Sequence, residues 1–464
     1  INHKFSRKDR VYLSFYSGKD ELEYTLNSTF VNLNWGNYTT VARWNHLFNQ
    51  KLFGNLSVYH TRYRLNFELG FDFMGKNINN LYFSQVEDIG ARYDFEYNLN
   101  SKHHLEYGLN TTFHTFKPGV FSSNDLIFDL SNFIETSPST YSFDTYAYIQ
   151  DEWQVNPKII LRPGVHLAYY QAGKKPYVNP QPRLAALYKL SPKWSLKASA
   201  TSTVQYIHLL SNPGTSLPTD IWVSSSDRIK PQKQWQLSFG TAGSLFNDMF
   251  EVQSEVFYRE FSNLIDYKIT ASNAITSNWE NQVVTDGTGK AYGFEFQLRK
   301  SAGNLTGWLA YTYSRSFRKF KEFNNGELFP YIYDRPHDFK IALKQRFSDH
   351  FNLGINWVYS NGRRGTVEIG KFLNAEGEKA SLYSGKNAYQ YPDYHRLDLA
   401  FNFIKKTRWG QYTVSIGAYN VYNHLNAFTV VKGNFFDSGI TNDPTVYQLS
   451  LFPILPYVSY QFKF

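Results

Sequence analysis

Apolar and polar residues alternate at every second position along many segments of this chain. In one of them, Leu105 and Phe113 have one parity and Glu106 and Asn110 have the other. The same alternation occurs at residues 292–299, 338–343, 351–359 and 396–403. Successive side chains of an extended strand point to opposite faces, so each segment predicts a strand with one apolar and one polar face.

The last residues of the chain continue this alternation. Val458, Tyr460, Phe462 and Phe464 alternate with polar residues. An ending of this kind resembles the closing strand of bacterial outer-membrane β-barrels, in which it is an assembly signal for the barrel-assembly machinery. A C-terminal edge strand of a soluble β-protein is the alternative interpretation.

Short polar turns interrupt the predicted strands. Segments of about 9 to 14 residues, the length of a tilted membrane strand, flank each turn. Longer connections rich in Gly, Asn and Ser lie between the resulting hairpins. This alternation of short and long connections is typical of outer-membrane barrels, which have short periplasmic turns and long extracellular loops. A propeller also repeats, but its repeats share sequence motifs, and none is visible here. The predicted turns are residues 7–9, 49–51, 100–102, 156–158, 191–193, 247–249, 302–304, 348–350 and 407–409.

Counting one strand on each side of every turn, plus the closing strand, gives about 19 strands in an all-β, transmembrane antiparallel barrel. The first strand leads into a short turn and the last ends on the periplasmic side, so the number is odd. A single-chain bacterial barrel has an even number. We therefore expect an odd number of strands, and any secretory signal, before Ile1, and we expect residues 1–464 to form a single barrel domain.

The amino-acid composition is typical of a barrel wall that has lipid on one side and water on the other. The 464 residues include 36 Tyr, 39 Phe and 10 Trp, or 18% aromatics, yet the mean hydropathy is −0.46. Apolar residues are thus diluted by polar ones rather than collected into core runs. We expect tryptophans near strand ends to lie in the interfacial aromatic girdles. These are Trp153, Trp194, Trp235 and Trp357.

Several classes of function find no support in the residues. The chain has no cysteine, which excludes disulfides, thiolate metal sites and a cysteine nucleophile. No catalytic motif stands out, and we expect neither an enzyme nor a cofactor. His103 and His104 are adjacent, so on a strand they point to opposite faces and cannot chelate one metal ion. The net charge of +9 is spread along the chain, whereas nucleic-acid binding usually shows a clustered basic stripe.

A series of stretches resembles TonB-dependent outer-membrane receptors, in particular those of Bacteroidetes, and general receptors rather than the glycan importers of the SusC type. Their order and spacing extend over nearly the whole chain. They are residues 2–6 with 9–20, 217–222 with 229–232, 293–296, 311–315 with 333–338, 394–398, 419–423 and 452–456.

This resemblance implies a barrel of 22 strands with an N-terminal plug domain and a TonB box, neither of which is visible in this sequence. It implies active import of a scarce nutrient, such as siderophore-bound iron, cobalamin or haem, across the outer membrane of a Gram-negative bacterium. TonB, with ExbB and ExbD, would supply the energy. Outer-membrane lipid and lipopolysaccharide would surround the barrel, and a surface lipoprotein is a candidate partner.

Ligand recognition is expected on the long loops, where a rigid scaffold presents variable segments. Planar guanidinium groups suit anionic ligands, and aromatic rings can stack on a flat ligand. The alternatives are packing within the loop or a girdle position for the rings, and contact with lipid headgroups or a lumenal carboxylate for Arg363 and Arg364. Arg335 precedes Pro336 and also suits a boundary between loop and strand. The candidates are Trp222, Trp279, Tyr331, Tyr333, Arg335, Arg363, Arg364, Tyr389 and Tyr391.

Two other functions remain open at this point. A passive porin would use the same wall without a plug. A soluble or surface-exposed β-rich binding or adhesion protein would not need a membrane at all, and its purification without detergent would identify it.

Overall fold

The computed structural model is composed almost entirely of β-strands. Its only helices over the described ranges are the short 3-10 turns Trp279–Gln282 and Asn324–Gly326. None of the described residues belongs to a helix long and apolar enough to cross a bilayer. The structure describes residues 1–26, 29–73, 76–123, 139–210, 221–268, 279–373, 377, 379–432 and 446–464.

The strands follow one another along the whole chain. The first half contains β1 (Asn2–Lys4), β2 (Asp9–Leu26), β3 (Thr29–Leu47), β4 (Leu52–Phe73), β5 (Lys76–Asn98), β6 (His103–Ser123), β7 (Thr140–Asn156), β8 (Ile159–Gln171), β9 (Pro176–Ser191), β10 (Trp194–Gln205), β11 (Ile207–Leu210), β12 (Ile221–Ser224) and β13 (Gln232–Leu245). The second half contains β14 (Phe250–Tyr267), β15 (Val283–Lys300), β16 (Leu305–Lys319), β17 (Phe329–Pro330), β18 (His337–Arg346), β19 (Phe351–Ser360), β20 (Arg364–Gly365), β21 (Glu368–Leu373), β22 (Lys379–Tyr383), β23 (Tyr389–Gln390), β24 (Tyr394–Thr407), β25 (Gly410–Tyr419), β26 (Thr429–Lys432), β27 (Val446–Leu449) and β28 (Leu455–Lys463).

A large antiparallel sheet contains 20 of these strands. The sequence predicted about 19, and the additional one is the two-residue strand β17. Each predicted short turn lies between two consecutive strands, from β1 and β2 to β24 and β25. The predicted all-β class and the strand count are therefore confirmed.

The described residues separate into two compact units. That residues 1–464 form a single domain stays a prediction. The first unit comprises Ile1–Ala186, Ala200–Trp235 and Phe261–Gly287, and the second comprises Leu187–Ser199, Gln236–Glu260 and Thr288–Phe464.

In the first unit, every strand from β2 to β8 pairs antiparallel with its neighbour in sequence. The pairing of β4 with β5 runs from Leu52 opposite Tyr97 to Phe73 opposite Lys76. Short hairpins suffice to join antiparallel neighbours. The alternating sequence thus gives a meander in which strand backbones bond to each other.

The two faces of β6 show which side of this meander is apolar. Leu109 and Phe113 are 52% and 46% exposed, whereas Asn110 and Thr112 between them are 5% and 6% exposed. A soluble protein has the opposite preference. Apolar residues outside and polar residues inside are what a lipid-facing barrel wall requires, so the predicted two-faced strand is confirmed here.

In the second unit, β15, β16, β18, β19, β24, β25 and β28 pair antiparallel in that order. The closing strand β28 places Val458 opposite Ile416 and Tyr460 opposite Val414. All residues of β28 are exposed, with Val458, Tyr460 and Phe462 among them. That assembly machinery recognises this end of the chain stays a prediction.

Aromatic rings line the ends of β3 to β6 next to the short turns of the first unit. Consecutive ring centroids lie 4.5 to 6.2 Å apart. We call this row the aromatic belt, and it matches the girdle that marks a membrane interface. The aromatic belt consists of Trp44, His46, Phe48, Phe95 and Tyr107.

Two of the predicted girdle tryptophans also lie beside short turns. Trp153 in the first unit stacks on His103, with ring centroids 5.7 Å apart. In the second unit, the ring of Trp194 lies against Gly243, where any added Cβ would collide with it. Both positions fit an interfacial girdle.

The short turns have a simple local cause. The side-chain oxygen of Asn100 accepts hydrogen bonds from the backbone N–H groups of Lys102 at 2.8 Å and His103 at 3.1 Å. Asn49 and Asn156 do the same for the residues two and three positions later. Asparagine is favoured in turns because its side chain can close such rings with its own backbone.

Replacing Asn100 with alanine should remove both turn hydrogen bonds and lower the free energy of unfolding by about 1–2 kcal/mol. Urea unfolding of the protein in lipid vesicles measures this change. Ser101→Ala, in the exposed middle of the same turn, is the matched control and should leave the midpoint nearly unchanged. Equal effects of the two substitutions would contradict the proposed role of Asn100.

Candidate ligand-binding site

Seven of the predicted ligand contacts belong to two connections of the second unit. The first connection follows β16 and folds back on it through β17, with Phe317 opposite Pro330. The Tyr331 N–H then donates to the Ser316 carbonyl at 2.9 Å. The second connection follows β19, where β20 pairs with β23. The first connection therefore extends the large sheet through β17, whereas the second forms the separate two-stranded sheet of β20 and β23.

A buried carboxylate, Asp334, joins the two connections. Its Oδ1 accepts the Ser316 N–H at 2.7 Å and lies 3.3 Å from Arg315 Nε. Its Oδ2 lies 3.8 Å from Arg364 Nε, and the Arg364 N–H donates to the Ile332 carbonyl at 3.1 Å. The Asp334 side chain is fully buried, and a buried charge is tolerated when it is paired and hydrogen-bonded. We call Asp334, Arg315, Ser316 and Arg364 the Asp334 cluster.

The neighbouring arginines lie on tyrosine rings. The Arg318 guanidinium carbon is 3.6 Å from the centroid of Tyr331, which meets Tyr333 edge to face at 5.3 Å. In the second connection, the Arg363 guanidinium carbon is 4.5 Å from the centroid of Tyr391. Cation–π pairs of this kind fix a long side chain in one orientation.

The candidate residues thus differ in whether their side chains are exposed to a ligand in solvent. Arg364 points inward to Asp334, and its side chain is only 17% exposed. Tyr333 is 54% exposed, and Arg335 is exposed next to it. Tyr389 packs edge to face against Tyr391 at 5.5 Å. Tyr333 and Arg335 therefore present functional groups to solvent, while Arg364 has a supporting position.

A second carboxylate holds the base of the β19–β24 connection. Asp393 accepts hydrogen bonds from the Tyr359 hydroxyl at 2.6 Å, the Asn361 side chain at 3.2 Å and the Gly362 N–H at 2.9 Å. Burial acts to raise the pKa of Asp393, but these hydrogen bonds together lower it below its ordinary value. A Cβ at Gly362 would collide with the Tyr391 carbonyl oxygen. The start of the Gly-Arg-Arg segment is consequently fixed.

Asparagines and a buried lysine tie the two connections together further out. Asn324 Oδ1 accepts the Lys386 N–H at 2.9 Å, and Asn387 Nδ2 donates to the Pro330 carbonyl at 3.0 Å. Lys386 is buried with its ammonium 4.7 Å from the ring of Phe323. The sequence singled out none of these residues, because each acquires its role only through a partner far away in the chain.

The other two candidates belong to the first unit. Trp222 lies on β12, opposite Leu209 in the hairpin β11–β12, and is half-buried. Trp279 packs against an apolar cluster that includes Ile221, Val223 and Ile265. The Trp279 ring therefore contributes to packing in the first unit, one of the alternatives that the sequence left open for aromatic candidates.

Hydrogen bonds close the base of the β11–β12 hairpin, and the residue before it stacks on β8. The Ser225 N–H donates to the Tyr206 carbonyl at 2.7 Å, and the Ser225 hydroxyl lies 2.9 Å from His208 Nε2. Tyr206 stacks on Tyr170 with ring centroids 4.5 Å apart. Tyr206, directly before β11, thus packs against β8.

The adjacent histidines have separate partners, as their strand position predicts. His103 Nδ1 lies 2.6 Å from Asp151, and His104 Nδ1 lies 2.9 Å from Asn98. Across the described ranges, no three His, Asp or Glu side chains come together in a way that could hold a metal ion.

Comparison with solved structures shows similar folds. The pyoverdine outer membrane receptor FpvA from Pseudomonas aeruginosa PAO1, bound to pyoverdine, is 14% identical, with a TM-score of 0.63 over 100% of this chain and 72% of that chain. BauA, the ferric preacinetobactin receptor from Acinetobacter baumannii, is 13% identical, with a TM-score of 0.64 over 98% and 70%. The copper transporter OprC is 13% identical, with a TM-score of 0.63 over 98% and 72%.

The present chain is shorter than these proteins. It spans 62% of the length of FpvA in a complex with ferric pyoverdine and 63% of FpvAI in its complex with pyocin S2. No curated protein sequence matches it. At such low identities the structural likeness concerns the fold alone.

The family of TonB dependent receptor-like β-barrels matches residues 3–421. This match covers most of the chain, and it agrees with the two-faced strands and the alternating turns. The chain therefore belongs to the TonB-dependent receptor β-barrel family of the bacterial outer membrane.

Proposed function

We propose that this chain is the barrel portion of a receptor that actively imports a scarce nutrient across the outer membrane. Family membership supports the general transport function. FpvA and BauA, which share the fold, are receptors for the siderophores pyoverdine and preacinetobactin. We therefore favour a siderophore-bound metal as the ligand, with cobalamin and haem as alternatives.

The Asp334 cluster is the observation that supports ligand binding at the second unit. The carboxylates of Asp334 and Asp393 face inward and are hydrogen-bonded. Tyr333 and Arg335 face solvent. A phenol and a guanidinium on a fixed support can stack on a ring and pair with an anionic oxygen. Anionic ligands with flat or chelated groups fit this chemistry.

The barrel itself carries no reaction in this proposal. Strand backbones are hydrogen-bonded to each other, which gives a stiff wall in lipid. The resemblance assigns the moving part to a plug domain and the driving force to TonB with ExbB and ExbD. A source in Bacteroidetes and a surface lipoprotein partner remain proposals of the same kind.

A passive porin is the main competing function. It predicts steady ion conductance of the natural protein in planar bilayers without any energy source. A gated receptor predicts little conductance and saturable ligand binding. Growth of a deletion strain on defined iron, haem and cobalamin sources then identifies the nutrient.

Tyr333→Ala and Arg335→Ala should each weaken ligand binding by about 5- to 30-fold, because each removes one contact worth roughly 1–2 kcal/mol. Quenching of tryptophan fluorescence by a panel of ferric siderophores that includes pyoverdine and preacinetobactin measures the affinity. Arg408→Ala removes an equally exposed arginine from a short turn and is the matched control. Unchanged affinity in both loop variants would exclude these residues as contacts.

Asp334→Asn should loosen both connections because it leaves two arginines without their charged partner. Removing one member of a buried pair typically costs about 3–5 kcal/mol. Amide hydrogen exchange should become faster at residues 329–336 and 361–365 and stay unchanged in β24 and β25. Asp349→Asn is the matched control, since that carboxylate is 90% exposed and lies 3.9 Å from Arg346. Exchange equal to that of the control would contradict the role of Asp334.

A further inference from the structure

The short turns of the first unit repeat one arrangement that places a lysine at the same point each time. In each turn the third residue is a lysine whose backbone N–H is held by the side-chain oxygen of the first residue, at 2.8 to 2.9 Å. All four lysine side chains are exposed. We call them the lysine row, and they are Lys8, Lys51, Lys102 and Lys158.

The lysine row follows the line of the turns. Lys8 Nζ lies 3.5 Å from the Phe48 carbonyl oxygen, and Lys51 Nζ lies 3.2 Å from that of Leu99, so each of these amines reaches toward the next turn. Successive turns are two strands apart, or about 10 Å. A lysine ammonium has three donors. Each of these two therefore keeps donors for a further acceptor.

Two acidic residues beside the same turns, Asp9 and Asp151, are paired with histidines. Asp9 accepts hydrogen bonds from Ser6 at 2.7 Å and from Trp44 Nε1 at 3.2 Å, and it lies 2.7 Å from His46 Nδ1. The carboxylate of Asp151 is close to His103, as described above. The turns at 49–51, 100–102 and 156–158 contain no acidic side chain, and the acid of the first turn, Asp9, is the one paired with His46. The exposed charge of this line of turns is thus positive.

The aromatic belt fixes the depth of the lysine row in the membrane. Phe48 directly precedes the turn that contains Lys51, and Trp44 and His46 lie on the strand that enters this turn. Aromatic girdles occupy the boundary between hydrocarbon and headgroups, and short turns lie on the periplasmic side. The lysines therefore lie at the level of the lipid phosphates in the periplasmic leaflet.

We propose that the lysine row binds the phosphate groups of anionic phospholipids in the periplasmic leaflet. The ammonium groups supply the charge, the turn hydrogen bonds fix their positions, and the belt sets their depth. Each lysine near an anionic membrane surface contributes about fivefold in binding constant. This interaction depends on the membrane location of the barrel and not on which nutrient it imports.

Native mass spectrometry of the full chain tests this proposal. The protein is folded in detergent and mixed with equal amounts of phosphatidylglycerol and phosphatidylcholine of the same acyl chains. The parent protein should retain more phosphatidylglycerol than phosphatidylcholine. In K51Q/K102Q the ratio of retained phosphatidylglycerol to phosphatidylcholine should fall by roughly 25-fold.

K174Q/K175Q is the matched control. It removes the same charge from two exposed lysines in the four-residue connection between β8 and β9, at the end of β8 opposite to the turn that contains Lys158. Its ratio should stay close to that of the parent protein. Equal retention of both lipids by the parent protein, or an equal fall in the control, would overturn the proposal.

Heat-modifiable gel migration shows whether each variant is folded. If K51Q/K102Q does not fold, salt titration of the parent protein provides the deciding measurement. Phosphate binding by lysines requires the phosphatidylglycerol preference to fall as ionic strength rises. A preference that does not change with salt would overturn the proposal as well.

Discussion

The need to pair every backbone polar group in lipid governs this molecule. An unpaired N–H or C=O in hydrocarbon costs several kcal/mol, so only strands bonded to neighbours on both sides can cross. In the first unit, β4 and β5 pair along their whole length, from Leu52 opposite Tyr97 to Phe73 opposite Lys76. The alternation of apolar and polar side chains follows from this pairing, because one face of each strand meets lipid and the other does not.

The two connections that we propose as the ligand-binding site are ordered by hydrogen bonds and ion pairs of their own. β17 pairs with β16, and β20 pairs with β23 in a separate two-stranded sheet. The Asp334 cluster then fixes both connections with one carboxylate and two guanidinium groups. Exposed side chains on this rigid support, such as Tyr333 and Arg335, are the ones that we propose to contact a ligand. Less conformational entropy is lost when such preorganised groups bind.

The sequence predicted those parts of the structure that depend on local pattern. Strand faces follow from a period of two, and the turn at Asn100 follows from one side chain that bonds its own backbone. Asp334 was missed as a site residue because a buried carboxylate looks like any loop acid until its arginine partners are known. The packing of Trp279 in the first unit likewise depends on contacts with distant segments, which periodicity does not contain.

Spin labels along β24 would test the central claim most directly, because the chain has no native cysteine. Single cysteines at 397–403 in vesicles would report collisions with oxygen, which concentrates in lipid, and with a water-soluble nickel chelate. The account predicts that oxygen collisions peak at Leu397, Leu399, Phe401 and Phe403, and that nickel collisions peak at the residues between them. Low values of both at the apolar positions would indicate a closed dry core and contradict a lipid-facing wall.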